Sequence, residues 1–346
     1  MKPWNYLILL FLPAMVVAGY LLGGWWNFLV PVCCFAAYPV SNLFLGSSED
    51  HAHTHHTYSS SMYSRIALIF VPVLFVLTGY CVYRAGTLFM NTVSFTGLVL
   101  SLGIVNGVLG FTLAHEFIHH FTKRDQAAGY LLLLQNNYMH YGIEHVWGHH
   151  VYACTPEDPH TACLDESLYT FLPRAIATTY KNAWKIEAKR LLRSPSALFS
   201  VHNRMLIFGT LQILLMLLIL FFIGSKALLF FLLQNMVSIL LLHIINYMQH
   251  YGLMRKTTGA GNYERLDVHH AWNTGRHNKS VDLFHLENHA DHHMRPQVSF
   301  EKLVHKQESP EHPAGYSFMI LLSFIPPLWF KIMNKRIPSH LINPNS

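Results

Sequence analysis

Residues 144–159 read EHVWGHHVYACTPEDP. Three histidines, His145, His149 and His150, fall within six positions, with Glu144 ahead of them and Asp158 behind. On a helix, His145 and His149 stand one turn apart on one face, and His150, though offset, reaches the same side. Gly148 lets a backbone or ligand come close. Pro156 and Pro159 end the helix and stiffen the turn that carries Asp158. Imidazoles clustered in this way suit iron, zinc, copper or nickel.

Three further groups carry the same chemistry. HEFIHH holds His115, His119 and His120, NYMQHYGL holds His250, and LENHADHHMRP holds His289, His292 and His293. The i, i+3, i+4 spacing of the last group predicts three rings on one helical face. His115, His119, His145, His149, His150, His250, His289, His292 and His293 exceed one coordination sphere and divide into four and five over two metals. HExxH alone is a zinc-peptidase signature. Zinc takes about four ligands, and its peptidase sites use three, so zinc hydrolysis leaves most of these residues idle. Two irons use them all and leave positions open for oxygen. Glu116, Glu144, Asp158 and Asp291 are candidates to accept the distal N–H of a ligand histidine and fix its ring. His51, His53, His55 and His56 read as a solvated polar loop, with a metal-loading patch as the alternative. His160, His202, His243, His269, His270, His277 and His285 lack competing metal spacing and read as structural or surface residues.

The elements that must position these rings are apolar. The chain has 346 residues, 52% hydrophobic and 12% charged, against about 25% charged in a typical soluble domain. An all-α integral membrane protein is expected, as a single domain over 1–346. Spans of about 20 apolar residues are predicted at 4–22, 26–45, 66–83, 92–113, 205–223 and 227–247. The first is read as a retained span and not a cleaved signal. The run at 316–330, broken by Pro326-Pro327, reads as interfacial or buried. With six spans and the N-terminus inside, the outer loops hold only Arg84 and Lys226, leaving 22 of the 24 basic residues on the inner side. Both termini and the histidine-rich site are therefore expected to be cytoplasmic. The five cysteines form no CxxC pair, so neither a disulfide framework nor a cysteine metal site is expected.

Taken together, HExxHH, EHxxGHHxxxxTPxDP, NYxxHYGLxR and HxDHHxxP, in this order and with these spans, resemble the membrane alkane 1-monooxygenases. These belong to the wider integral-membrane fatty acid desaturase and hydroxylase superfamily. The resemblance covers roughly residues 60–300, and NYMQHYGL is what separates this branch from desaturases. It implies a non-haem di-iron centre on the nine histidines, molecular oxygen as oxidant, and an alkane or alkyl chain hydroxylated at its terminal carbon. It also implies electrons from a separate rubredoxin with its NADH-dependent reductase, and a bacterial inner membrane. No nucleic-acid partner is expected. Three positions depart from the family pattern: His120 stands where a basic residue is usual, Gln249 where Glu is usual, and Glu287-Asn288 lies where a basic residue is usual. They touch the surroundings of the ligands, so Gln249 joins the supporting candidates and His120 becomes an alternative ligand. Trp25, Trp26, Phe28 and Phe44 are candidates to limit chain length. Lys181, Lys185, Lys189, Arg190 and Arg193 suit an acidic partner or lipid headgroups. The rival readings are a desaturase, a hydroxylase of alkyl-aromatic or fatty acyl substrates, and, outside enzymes, a histidine-rich metal transporter.

Overall fold

A computed structural model describes residues 2–40, 58–192, 199–258, 261–274, 284–338 and 341. His51, His53, His55, His56, Phe44, Arg193 and His277 lie outside the described residues. Among the described residues, five helices are long and apolar enough to cross a membrane: α1 (Pro3–Leu22), α3 (Ser60–Thr87), α4 (Thr92–His119), α8 (Arg204–Phe222) and α9 (Ser225–His250). The span expected at 26–45 is represented by the shorter apolar helix α2 (Gly24–Val40), and the rest of it lies outside the described residues. The remaining helices are α5 (Lys123–Gln135), α6 (141–152), α7 (Leu168–Leu191), α10 (His289–Met294), α11 (Tyr316–Ser323) and α12 (Pro326–Met333). One two-stranded antiparallel hairpin pairs Thr257–Thr258 with Asn262–Tyr263.

The described chain forms two compact units, one from 2–37, 58–142 and 184–242, the other from 38–40, 143–183 and 243–341. In the first unit α4 is the central helix. Its apolar window is 89% buried, against 17% for α8, which presents Phe221 and Phe222 outward. α4 can be this enclosed because small residues let its neighbours come close. A Cβ on Gly103 would stand 2.6 Å from Val237 Cβ and 2.8 Å from the Gln234 carbonyl oxygen of α9. Three helix starts carry cap residues of favoured types: Asn91 Oδ1 accepts from Ser94 N (2.8 Å), Thr122 Oγ1 from Asp125 N (3.1 Å) and Asn203 Oδ1 from Met205 N (2.9 Å). α4 continues past residue 113. It passes through a π-turn at Asn106–Gly110 and continues to His119, so the same helix that fills the core delivers HEFIH. Trp25 and Trp26 are 76% and 55% exposed, so they do not line an interior channel; Phe28 packs against Gly97.

The second unit is built around the end of α9 and an aromatic core. Tyr247 lies 5.2 Å from Trp329 and 5.2 Å from Phe171, and Tyr251 lies 5.4 Å from Trp329. α9 is stopped at Gly252, whose φ of 70° is left-handed and where a Cβ would collide with Ile337. The apolar run at 316–330 divides into α11 and α12, eight residues each. At about 12 Å apiece neither spans a bilayer.

Candidate metal centre

In the second unit, His149, His250, His289 and His293 each bring a ring nitrogen within 4.8 Å of the others. His250 Nε2 is 3.1 Å from His289 Nε2, and His293 Nε2 is 2.9 Å from the same atom. Three more rings converge beside them: His150 Nε2 is 3.1 Å from His145 Nε2 and 3.2 Å from His292 Nε2. In the first unit, His115 and His119 lie one turn apart on α4 with ring centroids 5.1 Å apart.

The expected shared faces hold, with the His145 and His149 ring centroids 5.1 Å apart, but the rings on them divide between the two sets. His145 and His149 do not serve one set, because the run from His145 to His149 is a π-turn in which the His150 N–H bonds the His145 carbonyl. The wider turn puts residues five apart in register, so His145 pairs with His150 and His149 turns to the other set. His289, His292 and His293 likewise share one face, with ring centroids 4.5–5.8 Å apart, yet divide between the sets. His289 and His293, at i and i+4, join His149 and His250, while His292 joins His145 and His150.

Outer partners fix the tautomers. His149 Nδ1 donates to Asp158 Oδ2 at 3.0 Å, leaving Nε2 buried with no hydrogen-bond partner among the described residues. Asp158 is held in turn by Thr161 Oγ1 (2.6 Å) and the His160 N–H (3.1 Å). Burial would raise the Asp158 carboxyl, but the neighbouring His149, His160 and His250 outweigh this and hold it below the usual carboxylate range. His250 Nδ1 donates to the His270 carbonyl at 3.2 Å, which also accepts from Cys154 Sγ at 2.8 Å. Burial first, then the surrounding histidines, push His293 well below its ordinary value, so its ring is neutral and able to bind a cation.

The other supporting candidates have different partners. Glu144 accepts from His160 Nε2 at 2.7 Å, and His160 Nδ1 meets Asn246 Nδ2 at 2.6 Å. Gln249 Nε2 donates to Tyr316 Oη at 2.9 Å. Asp291 is ion-paired with Arg295 and, at 3.2 Å, with Lys306. Glu116 accepts from His120 Nε2 at 2.9 Å. His120 spends its Nδ1 on Asp125 at 3.0 Å, so both of its nitrogens face carboxylates and it does not extend the ligand set. Burial would lower His120, but these two carboxylates raise it to about 9. Sequence reasoning missed His160, Cys154 and His270 as supports, since their roles follow from long-range contacts and not from local spacing.

The donor set fits a pair of metals. Imidazole nitrogens about 2.1 Å from one ion and at right angles to each other stand about 3 Å apart, as the Nε2 atoms do here. A buried Nε2 with its Nδ1 already committed, as in His149, is a ligand geometry.

A family model described as fatty acid desaturase matches residues 91–319. Alkane 1-monooxygenase 1 of Pseudomonas aeruginosa is 33% identical over 91% of this chain and 84% of its own length. Alkane 1-monooxygenase of Acinetobacter baylyi is 33% identical over 95% of this chain and 80% of its own. This chain belongs to the alkane 1-monooxygenase family. The family sits within the membrane desaturase and hydroxylase superfamily, and its membership makes the chain an oxidoreductase and an integral membrane monooxygenase, which sets aside the transporter reading. A more distant relative, the xylene/toluene monooxygenase hydroxylase component XylM of Pseudomonas putida, is 27% identical over 97% of this chain. Among the described residues, the two histidine groups could hold metal.

Proposed function

We propose that the protein hydroxylates the terminal carbon of an alkane or alkyl chain at a di-iron centre held by nine histidines. The observation that carries this is the convergence of His250, His289 and His293 Nε2 atoms at 2.9–3.1 Å beside the buried Nε2 of His149. In this reading His149, His250, His289 and His293 hold one iron. His145, His150 and His292 contribute to the other, and the four-and-five division expected from the sequence assigns His115 and His119 to it as well. When bound, the pair supplies oxygen activation with two electrons. The chain supplies the rest. Asp158 and the His270 carbonyl orient His149 and His250 so that Nε2 is the lone pair presented. The apolar helices admit the alkyl chain and exclude water from the reacting end. The whole chain acts as one domain with six spans, both termini and the metal centre on the cytoplasmic side of a bacterial inner membrane. Rubredoxin, kept reduced by its NADH-dependent reductase, is the electron donor. Lys181, Lys185 and Lys189, exposed at successive turns of α7, suit the acidic surface of such a donor.

The likeness to XylM favours a second reading, in which the oxidised group is an alkyl substituent on an aromatic ring. Both are tested with membranes, rubredoxin, reductase and a chain-length series of alkanes beside methylarenes. Elemental analysis is run on the same sample. A primary alcohol from alkanes supports the first reading and a benzylic alcohol alone the second. A double bond in the product would mark a desaturase. Iron present without any oxygenated product sinks all hydroxylase readings.

A further inference from the structure

The first unit buries a line of amides that the metal centre does not use. Thr78 of α3, Asn106 of α4, Gln135 of α5 and Gln234 and Asn235 of α9 are all 4% exposed or less. Asn106 is the first residue of the π-turn in α4, a distortion that recurs at functional sites.

Their orientation is set by one contact. Gln234 Nε2 faces the Phe231 carbonyl at 3.2 Å, so its amide nitrogen must lie on that side. Gln234 Oε1 then accepts from Asn106 Nδ2 at 2.9 Å, and Asn106 Oδ1 accepts from Gln135 Nε2 at 3.0 Å. In the other direction Gln234 Nε2 donates to Asn235 Oδ1. Thr78 Oγ1 accepts from Asn106 Nδ2 (3.1 Å) and Gln135 Nε2 (2.9 Å). The four amides therefore run head to tail. Such a chain polarises its own ends. At one end Gln135 Oε1 is a buried acceptor, and at the other Asn235 Nδ2 is a buried donor. Neither has a hydrogen-bond partner among the described residues.

Buried amide atoms in apolar surroundings are costly when unmade, and buried polar groups nearly always find a partner. No charged side chain takes part in this line of bonds, so an ion would find no counter-charge. One end calls for a neutral donor and the other for a neutral acceptor. A hydroxyl serves as either. We propose that the two ends of this amide line are hydroxyl-binding positions, taking either water or the hydroxyl of a long-chain aliphatic alcohol. Asn106 lies nine residues before His115 on α4, about 14 Å along its axis. An alcohol anchored here would leave its unfunctionalised end free for the hydroxylation proposed above, on which this arm rests. The step keeps its balance: a terminal C–H bond breaks and one oxygen atom of O2 enters as C–O–H. The other oxygen leaves as water with two protons, and an external reductant gives two electrons.

The experiment has two arms. In the first, membranes with their reducing partners receive an alkane, a deuterium-labelled 1-alkanol and the corresponding methyl ether of equal chain length in one vessel. The ether accepts but does not donate. Expected for an alcohol ligand is diol formation favoured over ether oxidation by at least about ten-fold. That ratio should collapse in Gln135→Leu, which removes the acceptor an ether cannot satisfy, whereas Asn235→Leu should weaken alcohol and ether oxidation alike; both variants are first shown to keep parental metal content and monodispersity. In the second arm, an experimental structure at water-resolving resolution is inspected at Gln135 Oε1 and Asn235 Nδ2. No alcohol preference with ordered water at both atoms assigns water as the ligand. No preference and dry atoms overturn the proposal. Failure to oxidise even the alkane counts against the hydroxylase reading alone, and the second arm still decides this one.

Discussion

His150 Nε2 lies 3.1 Å from His145 Nε2, five residues earlier, while His149, between them, turns its Nε2 into a different set of rings. On the proposed di-iron reading, adjacent histidines serve different ions. Replacing them singly should remove different metals. His149→Ala is expected to lower iron from two to about one per chain, and His150→Ala to do the same by emptying the other position. The two single variants should differ in spectroscopic signature, and the double variant should hold essentially none. Elemental analysis with Mössbauer spectroscopy checks this. Identical residual spectra in the two single variants would refute the partition.

Asp158 meets His149 Nδ1 at 3.0 Å, so on the proposed reading it acts on the metal only through that ring. Asp158→Asn keeps the shape of the side chain and removes the charge that favours Nδ1–H. Groups placed in this way typically govern 10–100-fold in metal affinity or activity. A loss of about that size is expected in competition with a chelator, with little change in the thermal unfolding of the metal-free protein. If metal affinity is unaltered, Asp158 serves only to tie the turn through Thr161 and His160.

Most of this architecture was legible because it rests on local rules. Long apolar runs separated by polar loops locate α1, α3, α4, α8 and α9 within a few residues. All nine ligand candidates were visible from composition and spacing. What spacing could not show is how the rings divide. At 3.6 residues per turn sequence intervals translate into helix faces, and the π-turn at His145–His149 breaks that translation. The same holds for Asn106–Gly110, where the extra residue turns the helix before it reaches His115. Partners distant in the chain were equally hidden. The His270 carbonyl meets His250 from twenty residues away, and Asn246 meets His160 across 86.

Glu187 predicts a pH dependence away from the metal. Its carboxylate is fully buried and bonds Arg190 and Arg204, tying the end of α7 to the start of α8. Burial would raise its pKa, but the hydrogen bonds to both arginines and the Arg204 backbone N–H hold it at about 2, against an ordinary 4.5. A depressed carboxyl stabilises the fold above its unfolded pKa, and that contribution is lost as pH falls through the folded value. The contribution should be whole at pH 6 and should decline between about 4.5 and 2. Its size is on the order of 2–3 kcal/mol. Thermal unfolding in detergent should show Glu187→Gln less stable than the parent at pH 6, with the gap closing toward pH 3. A gap independent of pH would mean that packing and not charge holds the corner.

Gly103 tests how tightly α4 and α9 must pack. A Cβ there would meet Val237 Cβ at 2.6 Å and the Gln234 carbonyl oxygen at 2.8 Å. Both obstacles are part of, or fixed to, the backbone of α9, so no rotamer change can relieve them. Overpacking of this kind costs about 1–3 kcal/mol. Gly103→Ala should lower the unfolding temperature. Val237→Ala should not rescue it, because that change removes the Cγ atoms and leaves the Cβ. α9 carries His250 at its far end, so a forced shift of the helix should also weaken the metal set that His250 shares with His149, His289 and His293. Thermal unfolding and iron content measured on the same preparations separate the outcomes. Lower stability with full iron would mean that α9 yields locally. Loss of both would mean that it moves as one rod. Neither change would show that the contact at Gly103 is looser than 2.6 Å implies.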